Sequence, residues 1–272
     1  MASRERQHLA LTIAGSDSGG GAGLQADLKT FAALGVHGTT AVTCLTAQNP
    51  ATVTAVQAAT PKFVRAQLEA VFAELPPRAV KTGMLFNAAI IREVVRFWQA
   101  GETGRPPLVV DPVMVATSGA RLLQPAAVKA LLNDLLPLAT LVTPNLDEAE
   151  ILTGRKLTRL DDLFEAAVAI QQRFGCAVLV KGGHLARSRE AVDVFFDGAT
   201  GLTLSAPRVR GVSTHGTGCT YSAAITGYLA LGLPLPSAVE LAKNHITQAI
   251  AQSVRIGRHS ALNPFWRDAE VD

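Results

Sequence analysis

The chain of 272 residues is 48% hydrophobic and 17% charged, long and apolar enough to bury one large α/β core. Its 25 Lys and Arg against 22 Asp and Glu give a net charge of +3, scattered along the chain, which argues against a nucleic-acid partner and leaves a small anionic ligand open. The first eight residues are polar, the apolar run after them is too short for a secretory signal, and no run nears the roughly 20 apolar residues of a membrane span.

In chain order, a polar tail at 1-8 leads into the strand LALTIA (9-14) and a helix over 22-35. That helix places Leu24, Leu28, Phe31 and Leu34 on one face and stops at Gly35, suited to a left-handed helix end. TTAVTCLTA (39-47) reads as a strand. Thr60-Pro61 is an N-cap and first-turn pair, opening a helix to about Leu75. Strands follow at 79-83, 107-111, 140-144 and 176-183, with helices near 87-100, 125-136, 160-174, 217-231 and 236-254 between or after them. Segment 191-206 has two alternating runs around a glycine-bearing turn and is expected to be a β-hairpin at a sheet edge. No repeat or linker interrupts the series, so 9-272 is expected to be a single domain.

Repeated alternation of strand and helix predicts an α/β fold, a mostly parallel sheet covered by helices on both faces. Ligands in such folds bind beyond the carboxyl ends of the strands. The residues there are GSDSGGGAGLQAD (15-27), QNP (48-50), DPVMVATSGA (111-120), PNLDEAE (144-150) and KGGH (181-184), a set suited to phosphate and a divalent cation. Asp111 stands at a strand tip, while Asn145 and Glu148 share a face at a helix start and offer oxygen ligands of the kind Mg²⁺ prefers. The same pair reads equally well as an N-cap with its capping-box partner, and Asp111-Pro112 as an ordinary turn. Lys181, ending an apolar strand, is in this company a phosphate contact.

In STHGTGCTYSAAITGYLALG (213-232), Gly216, Thr217 and Gly218 let backbone N–H groups approach an anion while the following helix aims its positive end at the same point. Cys219 falls in the first helical turn, where the dipole is expected to favour thiolate and lower its pKa. Its alternative is that of a small apolar filler, the role assigned to Cys44 and Cys176. Three widely spaced cysteines point to a reducing, cytoplasmic setting. His215 either polarises the thiol or a phosphate, or is a loop histidine. No GxxxxGK[ST] motif is present, and the GxGxxA match at 21-26 lacks the short turn and the ribose-binding acid of a dinucleotide site.

Taken together, LTIAGSDSGGGAGLQADLKTFAALG, DPVMVATSG, TPNLDEAEILTG, VLVKGGH and THGTGCTYSAA resemble the hydroxymethylpyrimidine/phosphomethylpyrimidine kinases of thiamine biosynthesis, in the ribokinase-like superfamily. The resemblance runs from about residue 9 to LNPFW at 262-266. It implies a three-layer αβα fold, a homodimer, and transfer of the ATP γ-phosphoryl to 4-amino-5-hydroxymethyl-2-methylpyrimidine and then to its monophosphate, with Mg²⁺. By resemblance, Gly216, Gly218 and Cys219 form the anion hole, with Cys219 as base or orienter where other superfamily members use aspartate. Asn145, Glu148 and Asp111 belong to the metal site, and Lys181 reaches the ATP phosphates. Gly15, Asp27 and Gln48 hold the pyrimidine, Gln48 standing where some relatives have Glu. Met84 and Val113 pack on the ring beneath a flap at 112-120 that contains Gly119, and Thr217, Ala242 and Lys243 complete the ATP site. A pyridoxal kinase is the nearest alternative, disfavoured by Ala116, where such relatives tend to carry a second cysteine. A Cys219–His215 thiol hydrolase or acyltransferase and a silent nucleotide-binding regulator are more distant alternatives.

Overall fold

Alternate residues of the central strands serve opposite faces of one sheet, and that alternation sets the architecture. The computed structural model describes residues 7–101, 104–114, 123–183, 185, 190–209, 211–212 and 215–267. The expected tail at 1-8 falls largely outside this set, as do His184 and most of the expected flap, including Ala116 and Gly119.

The strands are β1 (Leu9–Asp17), β2 (His37–Asn49), β3 (Thr52–Ala58), β4 (Ala79–Thr82), β5 (Leu108–Val110), β6 (Leu141–Val142), β7 (Ala177–Lys181), β8 (Glu190–Phe196) and β9 (Gly201–Pro207). They form a sheet of order β3-β2-β1-β4-β5-β6-β7-β8-β9. Neighbours from β2 to β7 run parallel, whereas β3 at one edge and the β8–β9 hairpin at the other are antiparallel additions. The helices are α1 (Gly23–Ala33), α2 (Pro61–Glu74), α3 (Ala88–Ala100), α4 (Pro125–Ala130), α5 (Leu146–Thr153), α6 (Leu160–Phe174), α7 (Thr217–Ala230) and α8 (Leu235–Ala251).

Leu11, Val80, Val110, Val142 and Val178 pack with residues of α2 through α6 on one face, such as Leu68, Ile91 and Leu163. Ala10, Ala79, Val109, Leu141 and Leu179 point the other way, towards α1, α7 and α8. Short strands buried on both faces are the expected habit of a parallel sheet, and the three-layer α/β reading holds.

Local signals also hold. Gly35 adopts φ +71° just beyond α1, and Thr60 Oγ1 accepts from Phe63 N at 3.2 Å with Pro61 opening α2.

Three features differ from expectation. β3 turns the end of β2 into a hairpin, closed by Asn49 Oδ1 accepting from Ala51 N and Thr52 N at 2.8 and 3.1 Å. Its first six residues are exposed, so burial imprints no apolar period on them. The last helix ends at Ala251 and is followed by a two-stranded turn, β10 (Val254–Ile256) and β11 (His259–Ala261). The helix expected over 125-136 is α only to Ala130, continuing as a π-helical stretch and a 3₁₀ turn to Leu138 where Pro137 interrupts it.

The topology also locates the site. β1 leads to β2 on one side and β4 lies on the other, so the strand order reverses at β1, where a crevice opens at the carboxyl ends.

Candidate active site

One cavity of about 390 Å³ lies in that crevice. Its lining includes Gly15, Gln48, Met84 and Val113, then Asp111, Asn145, Glu148 and Lys181, and also Thr217, Gly218, Cys219 and Lys243. Residues more than 200 positions apart in sequence are thus brought together as the motifs implied.

The turn before α7 cannot accept a side chain at its start. Gly216 has φ +82°, and a Cβ there would stand 1.9 Å from Gly21 O, so the anion turn closes directly on the glycine-rich loop after β1. At Gly218 a Cβ would lie 3.3 Å from Lys181 Nζ and 3.6 Å from Asp111 Oδ2, which puts these charges beside the first turn of α7. Ser222, one turn on, donates to Asp111 Oδ2 at 3.2 Å and ties the helix to the strand tip. Thr217 Oγ1 is buried without a hydrogen-bond partner among the described residues. A buried unpaired hydroxyl beside exposed helix N–H groups fits a phosphate oxygen.

Asp17 organises the loop that Gly216 meets. Its Oδ1 accepts from Gly19 N at 2.8 Å, and its Oδ2 accepts from Gly21 N at 3.1 Å and Ala22 N at 2.8 Å. His215 Nε2 lies 3.2 Å from Asp17 Oδ2 and 3.4 Å from Gln48 Nε2, linking the loop, the β2–β3 hairpin and the anion turn. Although burial opposes ionisation, the bond to His215 and the amide donors hold the Asp17 carboxyl below its usual range. Asp17 and Ser222 were missed in sequence. The signal was present as a lone acid among glycines and a serine four residues after Gly218, but neither role is visible without the fold.

Several expectations need correction. Burial pushes the Cys219 thiol up to about 11, outweighing the pull of Lys81, so the lowered pKa expected at a helix start is not found and the resting group is a thiol. Asp27 does not line the cavity. It is fully buried, its Oδ2 accepting from Thr12 Oγ1 at 2.6 Å and Lys81 Nζ at 3.0 Å, so it supports the floor and is not a wall. Burial favours the neutral acid at Asp27, while the same carboxylate helps hold Lys81 protonated against its own desolvation; donors on two sides of one oxygen mark the ionised pair. Ala242 belongs to the core under the sheet; Ile246, Thr247 and Ile250, one and two turns on, face the cavity instead. Lys243 does line it, but its Nζ is committed to Asp193 Oδ2 at 2.7 Å and Ala191 O at 2.8 Å.

The three residues expected at the metal site are engaged with their neighbours. Asn145 Oδ1 accepts from Glu148 N at 2.9 Å, and Glu148 accepts from Asn145 N and Met114 N at 2.9 Å each, a complete capping box. Lys181 Nζ lies 3.2 Å from Asp111 Oδ1. Among the described residues no group of three His, Cys, Asp or Glu could hold a metal. What remains is an acidic wall: burial, with Asp111 adding to it, pushes Glu148 up to about 7 against the pull of Lys181. Such a wall suits a hydrated cation that keeps its waters, as Mg²⁺ does. Val113, β-branched, sits at φ +44°, a strained backbone of the kind found at ligand clamps.

Comparison with known proteins shows the family. The family description "Phosphomethylpyrimidine kinase" matches residues 17–263. A hydroxymethylpyrimidine/phosphomethylpyrimidine kinase of Rhizobium meliloti is 49% identical over 96% of this chain and 99% of its own. The crystal structure of a phosphomethylpyrimidine kinase from Clostridium difficile superposes with a TM-score of 0.80 at 45% identity, covering 90% of this chain and all of that one. The ADP complex of Bacillus subtilis pyridoxal kinase gives 0.88 at 38% identity, covering 97% of this chain and all of that one. With its fold and nearly its whole length matched, the chain belongs to the phosphomethylpyrimidine kinase family.

Proposed function

We propose that the protein phosphorylates 4-amino-5-hydroxymethyl-2-methylpyrimidine at the expense of ATP and then phosphorylates the monophosphate to the diphosphate, within thiamine diphosphate synthesis. The observation that carries this reading is the junction at Gly218, where the α7 N-terminus, Lys181 and Asp111 meet beside Cys219 and the cavity continues to Gly15, Gln48, Met84 and Val113. Phosphate and a small ring fit its two halves.

In this mechanism the amides of Gly216 to Gly218 and the dipole of α7 take up charge on the transferring phosphoryl, with Lys181 beside them. Asp111 and Glu148 would hold Mg²⁺, which would supply positive charge to the phosphates. Cys219, a thiol at neutral pH, orients the attacking hydroxyl as a hydrogen-bond partner. Phosphoryl transfer is largely dissociative, so the hydroxyl need not be deprotonated first: its oxygen bonds to phosphorus, the bond to the ADP oxygen breaks, and the proton passes late to a phosphoryl oxygen. Asp17 and His215 keep the two glycine turns in contact, and Met84 and Val113 cover the ring. Gln48 offers an amide that both donates and accepts.

The resemblance carries a homodimer with it; Leu45, Val53 and Val56 on the β2–β3 hairpin are exposed and apolar, and Val53 and Val56 also line the cavity. The three widely spaced cysteines support a cytoplasmic enzyme; no helix among the described residues is long and apolar enough to cross a membrane. The similarity to pyridoxal kinase structures favours one second reading, vitamin B6 phosphorylation.

Phosphorylated product from Mg²⁺ and ATP, measured in parallel with hydroxymethylpyrimidine, its monophosphate and pyridoxal, separates them. Turnover of the first two well above pyridoxal is expected; preference for pyridoxal would overturn the assignment while leaving the anion hole in place.

A further inference from the structure

Lys81, in the middle of β4, has no part in the mechanism above, yet it is built into the floor of the site. Its side chain is 0% exposed, and its Nζ lies 3.0 Å from Asp27 Oδ2, the oxygen that also accepts from Thr12. The side chain runs along the strand towards the cavity. A Cβ added at Gly83, two residues on, would stand 3.1 Å from Nζ, and both Lys81 and Gly83 line the cavity. Glycine at 83 leaves the ammonium its room.

A buried ion pair is a poor device for stability alone, since a well-packed apolar pair of the same volume often does as well or better. This one is also incomplete, for Asp27 Oδ1 is buried without a hydrogen-bond partner among the described residues. Its location offers a better reason. Lys81 and Cys219 line the same cavity, and Gly218, next to Cys219, lies beside Lys181 Nζ and Asp111 Oδ2.

Resting on the kinase reading, we infer that Lys81 is a positioning residue for phosphoryl transfer: held by Asp27, which Thr12 steadies, its ammonium keeps a fixed positive charge in the cavity floor near Cys219 and the anion hole, where negative charge gathers in the transition state. Lys181 supplies charge from β7 and Lys81 from β4. The buried cation does not reorganise during the reaction, which makes its field count for more than that of a solvated one. Asp27 fixes its place and moderates its strength.

The Cys219 thiol serves as a local probe. Its alkylation by iodoacetamide, followed by mass spectrometry of the Cys219 peptide against pH, reports the potential there; Cys44 and Cys176 are buried. In Lys81→Met the profile is expected to move up by about one pH unit, and in Asp27→Asn to move down. Opposite signs are the mark of charge, since a merely structural role moves both alike or neither. The kcat of Lys81→Met is expected to fall about 10²-fold with KM for ATP and pyrimidine nearly unchanged.

The double variant Lys81→Met, Asp27→Asn replaces the ion pair by a neutral pair of similar shape and guards against unfolding of the single variants. It is expected to fold, with kcat still low. Recovery of wild-type kcat in a double variant of normal Tm would overturn the inference, as would alkylation profiles that stay put or move in the same direction. The alkylation arm needs no turnover, so failure of the kinase assignment would be seen separately.

Discussion

The two halves of the cavity are built by different means. The half between the β1 loop, the anion turn and the floor is fixed by polar connections: Asp17 gathers three backbone amides, Gly216 closes on Gly21, and Thr12, Asp27 and Lys81 lock together beneath. The half under α8 is walled largely by Pro207, Val209, Ile246 and Ile250, with Lys243 tied to Asp193. A reacting group needs placement to within fractions of an ångström, whereas an adenine ring needs mainly an apolar slot. The first half should therefore fail sharply under small changes and the second gradually.

Gly216→Ala should give the largest effect. Its Cβ would strike Gly21 O and the backbone is left-handed, so kcat should fall roughly 10³-fold, the upper end for loss of anion-hole donors. A near-normal kcat would show that the turn is loose.

Next is a stability effect behind the second half. His245 on α8 is buried, with Nδ1 accepting from Trp266 Nε1 at 3.3 Å, and burial, with Arg267 adding to it, depresses its pKa from 6.5 to about 4. The folded state excludes a proton that the unfolded chain takes up. Stability from the neutral ring is thus complete above about pH 6.5 and lost as pH falls towards 4, by at most about 3 kcal/mol. Urea unfolding of wild type and His245→Phe across that range should show the pH dependence shrink in the variant; equal slopes would refute the assignment.

Lys181→Ala should raise the apparent KM for ATP about tenfold or more, with the pyrimidine KM little changed. Initial-rate kinetics in both substrates distinguish this from a loss shared by both. Ile250→Ala should be mildest, a few-fold rise in KM for ATP and no change in kcat, because Ile250 is one of several apolar residues that share that wall. A collapse of kcat there would erase the contrast between the halves.

The contrast also explains what could be read from the sequence. Glycines at 216 and 218, a cysteine after them and Lys181 at a strand end are local patterns with a chemical meaning, and they do converge on one cavity. The parallel core was legible because each buried strand is a short β-branched run. Ala242 was misplaced because α8 is apolar on more than one side, and only packing decides that Ile246 and Ile250 face the cavity while Ala242 faces the sheet. β3 escaped because its exposed residues carry no burial pattern. Charge balance was the least legible of all: a helix start favours thiolate in isolation, but desolvation, Asp27 and Asp111 act on Cys219 from elsewhere in the chain and outweigh the pull of Lys81.

Cys219 is where the two phosphorylations should part company. In the first step the nucleophile is a hydroxyl that must be oriented, and in the second a phosphate oxygen that is already anionic. The most direct measurement is single-turnover transfer by Cys219→Ala with each substrate at saturating ATP. A fall of about 10²- to 10³-fold with hydroxymethylpyrimidine, a smaller fall with its monophosphate and an ATP affinity close to wild type are predicted. Unchanged rates with hydroxymethylpyrimidine would remove Cys219 from the mechanism and contradict the placement of the attacking hydroxyl beside it.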